Sequence, residues 1–262
     1  MNGILAIYRK EMGHYFVSPI AYIVAGVFLV IAGFFFNLIL ADVMQGAMQA
    51  EMQSMQFGRP PEFDVPAIVM RSFFGLLGTI TLFIAPILTI SSYSEERSRG
   101  TIELLMTAPL RDYEIVLGKF LATLSLFFLM LLPTILYQVA MYLTSDPRPL
   151  WRLMFTGYLG ILLLGGGLIA IGSFISSLTE NQIIAGTVTF GISLVLFVID
   201  AAGQRLYTWT GDVIRYLSIL KHYEDFTRGV IDSSNLVFYF SLMAFFVFLT
   251  LRSIDSLRWR RA

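Results

Sequence analysis

The residue types that most often carry chemistry are scarce in this sequence. Its 262 residues include two histidines, His14 and His222, three lysines and no cysteine. Without cysteine, the chain can form no disulfide, no zinc–thiolate site and no thiol nucleophile. The two histidines are far apart, so the H-E-x-x-H zinc motif is absent, and no G-x-S-x-G nucleophile elbow occurs. The sequence therefore predicts no catalytic centre of these classes.

A phosphate-binding loop of the G-x-x-x-x-G-K-[ST] type is missing as well. None of Lys10, Lys119 and Lys221 is followed by Ser or Thr. Gly118-Lys119 comes nearest to the motif, but Tyr113 stands at the position of its first glycine. We therefore expect that the chain is not an enzyme, that it binds no metal or cofactor, and that any ATP, with its Mg²⁺, is bound by a partner.

Two further groups could bind metals. Residues 222–225, His-Tyr-Glu-Asp, could form a metal or acid–base site, although a solvated loop at a membrane surface is the plainer interpretation. Four methionines recur at helical spacing, and their thioethers could bind Cu(I) or form an adaptable face for a partner or lipid. They are Met44, Met48, Met52 and Met55.

The composition is that of a membrane protein. Hydrophobic residues make up 56% of the chain and charged residues 14%, and the mean hydropathy is +0.74. A soluble domain has about 45–50% apolar and about 25% charged residues. The 18 basic and 18 acidic residues balance, so no nucleic-acid partner is expected. Six apolar stretches predict an all-α fold of six transmembrane helices: residues 20–40, 73–92, 120–143, 158–175, 183–199 and 236–251.

The six stretches contain no Asp, Glu, Lys, Arg or His. Ion- and proton-coupled carriers usually place such groups within the membrane, because coupling needs a charged or titratable site. The sequence therefore disfavours a secondary transporter, and energy for transport would enter from outside the spans.

Residues 1–18 predict an amphipathic helix in the membrane interface. Its polar face would carry Arg9, Lys10, Gly13 and His14. An even number of spans puts both termini on one side, and basic residues cluster just after the last span. We expect a multi-pass protein of a prokaryotic inner or plasma membrane with both termini in the cytoplasm. The apolar face of the helix would consist of Ile4, Leu5, Tyr8, Met12, Tyr15 and Phe16.

Residues 93–117 form a polar loop between the second and third spans. Charges cluster at its start, Gly100 allows a break, and residues 101–106 predict a short helix that ends before Pro109. Asp112 is expected to cap the next helix. The loop helix could be a rigid element on which a soluble partner pushes, or an ordinary loop helix.

This loop carries a resemblance. The run E-E-R-S-R-G-T-I-E-L-L-M-T-A-P-L, followed by E-I-V-L-G-K-F, resembles the second intracellular loop of ABC-2 type transporter permeases. The N-terminal run Y-R-K-E-M-G-H-Y-F-V-S-P-I-A-Y-I-V also resembles the start of that family, closest to its gliding-motility-associated branch. The resemblance implies one transmembrane domain over residues 1–262, with an interface helix that includes Tyr8, Arg9, Lys10 and Glu11. It implies an ATPase-coupling element of Glu95, Glu96, Arg97, Gly100, Thr101, Glu103, Leu104, Leu105 and Pro109.

The resemblance also implies partners. Two permeases, the same or different, would assemble with two copies of an ABC ATPase subunit in membrane lipid, and would act as an exporter. The external loop, residues 200–235, would fold back as short helices that close the outer gate, with Tyr207, Trp209 and Tyr216 at the interface. A large external domain would have to come from another subunit. The alternatives are a non-transporting anchor of a motility or secretion apparatus and, least supported, an intramembrane enzyme.

Gly165, Gly166 and Gly167 lie together in the fourth apolar stretch. Small residues allow helices to approach closely in lipid. The run could serve packing within one subunit, a dimer seam or a gating hinge.

Overall fold

The computed structural model is a helical bundle, and it describes residues 3–57, 64–102, 110–145, 149–203 and 209–259. The prediction of an all-α fold is confirmed, and the described residues contain no strand. The helices are α1 Gly3–Val17, α2 Pro19–Phe57, α3 Val65–Thr89, α4 Ser94–Ser98, α5 Asp112–Leu131, α6 Ile135–Thr144, α7 Trp151–Leu178, α8 Gln182–Gly203, α9 Trp209–Tyr216, α10 Ile219–Thr227 and α11 Ser233–Trp259.

Six helical segments of the described chain are long and apolar enough to cross a membrane, as predicted. Several extend well beyond the predicted stretches, because polar residues that favour helices continue them past the hydrocarbon core. At 1.5 Å per residue α2 is about 58 Å long, about twice the thickness of that core. The segments are Pro19–Gln53, Val65–Ser98, Asp112–Thr144, Trp151–Leu178, Gln182–Ile199 and Ser233–Ser256.

Local chemistry sets where these helices begin and break. Asp64 caps α3, since its carboxylate accepts from the backbone N–H of Ala67 at 3.1 Å. The third span is interrupted by a 3₁₀ turn over Leu132–Thr134, because Pro133 has no N–H to continue the α-helical ladder. The Thr134 hydroxyl donates to the Leu131 carbonyl at 2.7 Å and closes that turn.

Helix α7 lies at the centre of the bundle and is mostly buried. Its glycines face other helices of the same chain. A Cβ at Gly160 would lie 2.5 Å from Cβ of Phe226, and one at Gly167 would lie 2.9 Å from Cδ2 of Leu242. Only a residue without a side chain fits there, so the glycine run serves packing within one subunit. Helices α2, α8 and α11 surround this core and remain largely exposed.

Residues 200–235 include two short helices, α9 and α10, and α10 packs against α7, α8 and α3. His222 of α10 is buried, with Nδ1 2.7 Å from Oδ1 of Asn235 and Nε2 2.9 Å from the Tyr216 carbonyl oxygen. The Tyr223 hydroxyl donates to the Phe74 carbonyl at 2.7 Å.

A solvated loop was therefore the wrong interpretation of residues 222–225, because His222 and Tyr223 lie in the core. No group of His, Cys, Asp and Glu suited to a metal ion occurs among the described residues. Of the three residues predicted to lie at the interface, Tyr207 and the side chain of Trp209 are outside the part of the chain that the structure describes. Tyr216 is about half exposed.

Candidate functional site: a buried charge network beneath an exposed turn

Of the residues expected to work together, those that the structure describes lie at one end of the bundle, which we call the α4 end. There α1 packs along α5, with Ile7 against Gly118. Tyr93, just before α4, packs with Val116 of α5 and Ile254 of α11. Helix α1 and the last turns of α11 both pack against α5 at this end, so the two terminal helices reach the same end, as an even number of spans requires.

Lys119 of α5 is the centre of this site. Its side chain is only 4% exposed, and its Nζ lies 3.2 Å from Oε1 of Glu11 and 2.9 Å from Oε1 of Glu96. Nζ also donates to the Ser92 carbonyl at 2.8 Å. Lys10, which is exposed, lies 3.5 Å from Glu11 and 3.4 Å from Glu96. We call these four side chains the Lys119 network; it joins α1, α4 and α5 with no net charge.

The network explains why α1 differs from its predicted orientation. The buried residues of the helix are Gly3, Ile7 and Glu11, whereas Leu5 and Phe16 of the predicted apolar face are exposed. Glu11 turns inward because Lys119 is buried there, and a buried cation needs a partner. Tyr8 is half-buried, and Arg9 and Lys10 are exposed. The helix thus docks on the third span through a charge and a small apolar contact.

A second anchor holds α4 from the other side. The Ser176 hydroxyl oxygen of α7 accepts from the backbone N–H groups of Tyr93 and Ser94, both at 3.1 Å. Arg97 donates to the Ser177 carbonyl and lies 3.6 Å from the Glu180 carboxylate. Two independent attachments leave a five-residue helix little freedom to move relative to the spans.

The turn after α4 is the exposed part of the segment. Gly100 has φ +69°, a left-handed conformation that favours glycine and ends the helix, so the predicted break is confirmed. Its N–H donates to the Arg97 carbonyl at 3.1 Å. Residues 98–101, which we call the tip, are exposed, and Arg99 pairs with Glu95 at 2.7 Å. A firmly attached helix with an exposed tip can transmit the movement of a docked partner into the spans.

The structure places the predicted coupling residues in two groups. Glu96 and Arg97 point into the two anchors, whereas Glu95, Gly100 and Thr101 lie at or near the tip. Four further predicted residues lie outside the described residues: Glu103, Leu104, Leu105 and Pro109.

A short helix was predicted over residues 101–106, but the structure describes only Thr101 and Ile102 of that range. Ile102 is buried. The charged residues ahead of Gly100 form a helix that the sequence analysis did not predict, because a single turn is too short to show periodicity. Asp112 was expected to cap α5, but the N-cap is Arg111, whose backbone N–H donates to Oε2 of Glu114 at 3.0 Å.

Lys119 and Ser176 were not predicted as site residues. Lys119 stands directly before an apolar stretch, a position normally assigned to a solvated membrane boundary. The detectable signal was the pairing of one lysine at a span end with isolated carboxylates at Glu11 and Glu96. Ser176 gave no signal, because serines are frequent in spans.

A cavity of about 540 Å³ opens beside the network, between α1, α4 and α5. Oε2 of Glu96 is buried there without a hydrogen-bond donor among the described residues. Tyr15 also lines the cavity, and its hydroxyl lies 2.9 Å from that of Thr123. Burial raises the pKa of Tyr15 to about 12, so the hydroxyl stays neutral at physiological pH. The cavity leaves one carboxylate oxygen without a donor close to the tip.

Comparison with known proteins gives the family of this chain. The family model described as ABC-2 family transporter protein matches residues 5–253. A protein of Escherichia coli strain K12, named a probable multidrug ABC transporter permease, YbhR, is 23% identical over 209 residues. The match covers 73% of this chain and 55% of the relative, so the chain spans about half of that protein's length. The same protein of Escherichia coli O157:H7 matches equally well. With nearly its whole length matched by the family model, the chain belongs to the ABC-2 family of transporter permeases.

Proposed function

We propose that this chain is the membrane-spanning permease subunit of an ATP-driven ABC exporter. Two copies of a partner ATPase would bind ATP and Mg²⁺, and two permeases, identical or different, would form the path. The observation that carries the proposal is the tip at residues 98–101, exposed at the end of a segment that is fixed to α5 and α7. Motion of a docked partner would reach α5 through the Lys119 network and α7 through Ser176.

Charge and chemistry support a soluble partner at the tip. Arg99 and Thr101 are exposed there, and the buried Oε2 of Glu96 can accept a hydrogen bond from an inserted side chain. We infer that the α4 end faces the cytoplasm, because the C-terminal part of α11, with the exposed Arg252, lies at this end and basic residues mark the cytoplasmic side of a span. The gliding-motility branch remains a prediction from the N-terminal run.

The test of orientation uses the absence of cysteine. A Thr101→Cys variant should react with a membrane-impermeant maleimide only after the cells are permeabilised. A Tyr216→Cys variant, half exposed at the far end, should react in intact cells. The reverse pattern would place the tip outside the cell and rule out docking of a cytoplasmic ATPase.

The test of coupling uses Arg99→Glu. Its side chain is 70% exposed and its pairing with Glu95 is a surface contact, so the fold should be preserved. Co-purification of the ATPase and permease-stimulated ATP hydrolysis should both fall at least tenfold. Arg228→Glu is the matched control, because Arg228 is an exposed arginine with an i,i+4 glutamate partner on α10.

A non-transporting anchor is the second candidate function, favoured by the firm attachment of α1 and α4. It predicts a stable complex in which no protein carries a phosphate-binding loop, and no ATP-dependent change at the tip. Unchanged ATPase stimulation in Arg99→Glu, with normal stimulation in the control, would remove the tip from the coupling path.

A further inference from the structure

A second cavity lies far from the α4 end, between the long helix α2 and helix α6. Its volume is about 560 Å³, within the range of about 300–1,000 Å³ that small-molecule sites occupy. One wall is a single face of α2, where Leu40, Met44, Met48 and Glu51 recur at helical spacing. The first turn of α3, at Val65, closes the third side.

The floor of this cavity is aromatic and apolar. Phe36 of α2 stacks on Tyr137 of α6 with ring centroids 5.2 Å apart, and Phe73 of α3 meets the edge of Phe36 at the same distance. Phe36 and Met141 are almost fully buried. These contacts fix the inner end of the cavity between three spans.

The outer end of the cavity is polar on both walls. Helices α2 and α6 run in the same direction, because each continues away from the α4 end. Glu51 ends the lining face of α2, and Thr144 and Ser145 end that of α6. From Phe36 to Glu51 the helical rise is about 22 Å, and the apolar stretch of α2 ends at residue 40. The cavity therefore crosses the boundary between hydrocarbon and headgroups.

We propose that this cavity binds one membrane amphiphile, with its apolar chain on the aromatic floor and its polar group between Glu51 and Thr144. The floor at Phe36 lies within the apolar stretch of α2, and Thr144 at the rim directly follows the apolar stretch of the third span, so the two ends of the cavity lie at hydrocarbon and at headgroup depth, the same order in which a lipid presents its own parts. A cavity of about 150 Å³ takes a benzene ring, so on this scale the volume fits about twenty carbon atoms, a single-chain amphiphile.

The exposed methionines supply the adaptable wall that such a guest needs. Met44 is 46% exposed and Met48 is 55% exposed, although both lie on the face toward α6. Unbranched thioether side chains can repack around chains of different length. The inference needs only that the chain lies in a bilayer, so it stands or falls independently of the ATPase partner.

The experiment uses a lysophospholipid that carries a diazirine on its one acyl chain. The purified chain is reconstituted alone in phosphatidylcholine vesicles that contain increasing amounts of the probe. The samples are irradiated and then digested for mass spectrometry. Labelling of Met44, Met48 and Met141 should saturate and should be competed by unlabelled lysophospholipid. Labelling at Phe240, an exposed residue of α11, should rise linearly, because bulk lipid contacts do not saturate.

Ala47→Trp fills the cavity from within the lining face and should lower the saturable labelling at least fivefold. Ala41→Trp on the same helix is the control; Ala41 is exposed outside the cavity, and its variant should label like the wild type. Linear labelling at Met48, or equal labelling in the two variants, would overturn the proposal.

Other occupants give different results. If a Met48→Cys variant forms disulfide-linked dimers of the chain in the membrane, a second copy covers the face and the proposal fails. If the wild type retains copper(I) but a Met44→Leu/Met48→Leu variant does not, the face is a metal site and the proposal also fails.

Discussion

Replacement of Lys119 by Met should release α1 from the bundle. The change removes the one buried cation of the Lys119 network and leaves the Glu11 and Glu96 carboxylates, which are 11% and 18% exposed. Removing one partner of a buried ion pair costs about 3–5 kcal/mol. Lys10 remains near both carboxylates but is exposed, so it offsets at most about 1 kcal/mol. We expect a net cost of about 3 kcal/mol, most of it in the docking of α1 and α4.

Hydrogen exchange of the peptide that covers α1, measured in nanodiscs by mass spectrometry, tests this expectation. A cost of about 3 kcal/mol corresponds to exchange roughly 100-fold faster, since 1.4 kcal/mol is a factor of ten. The core helix α7 should exchange as in the wild type. Lys221→Met is the matched control, because Lys221 is an exposed lysine on α10.

A second variant separates charge pairing from packing. When Glu11→Gln and Glu96→Gln accompany Lys119→Met, the one charge left in the network is that of Lys10, which is exposed, and replacing the buried members of such a network together is often nearly neutral. Protection of α1 should then recover most of its wild-type level. If Lys119→Met alone leaves α1 exchange unchanged, the network does not hold α1, and the structural basis assigned to the coupling segment is refuted.

Three further predictions concern other contacts. Ser176→Ala should leave the N–H groups of Tyr93 and Ser94 without their acceptor, at a cost of about 1–3 kcal/mol. Amide exchange in α4 should therefore accelerate, whereas the control Ser98→Ala at the tip should leave that exchange unchanged. Gly165→Ala should force Phe127 to move and should lower the melting temperature in detergent, because overpacking costs about 1–3 kcal/mol. The control is Gly191→Ala, whose new Cβ meets no atom within 4 Å and should leave the melting temperature unchanged. The pKa of Tyr15 is about 12 in the folded chain against 10.0 for an ordinary tyrosine. The stability that the neutral hydroxyl contributes to α1 docking is therefore complete below pH 10 and is lost as the pH rises from 10 to 12. Over that interval, amide exchange in α1 should rise less in Tyr15→Phe than in the wild type.

The number and order of the spans could be predicted from the sequence, because each span is a long apolar run that only a helix can satisfy in lipid. Gly100 was also predictable, since a left-handed turn favours glycine. The ends of the spans were less predictable. The Met- and Gln-rich continuation of α2 shows why: it contains no proline and only one glycine, Gly46, so the helix continues after the apolar stretch has ended.

The partners of buried charges could not be predicted. The orientation of α1 depends on Lys119, more than a hundred residues further along the chain, and a helix with scattered apolar residues has no dominant face of its own. The burial of His222 similarly depends on Asn235 and on a return of the chain into the bundle. Such contacts between distant residues are set by tertiary packing, which the local pattern does not contain.

The measurement that tests the central claim most directly is affinity purification of the tagged chain from native membranes, with quantitative mass spectrometry, for the wild type and for Arg99→Glu. We predict that the wild type recovers a protein with the G-x-x-x-x-G-K-[ST] motif in equal amount, and that Arg99→Glu loses it while remaining folded in the membrane. A wild-type complex without such a protein, reproduced in several detergents, would contradict the permease assignment and favour the anchor.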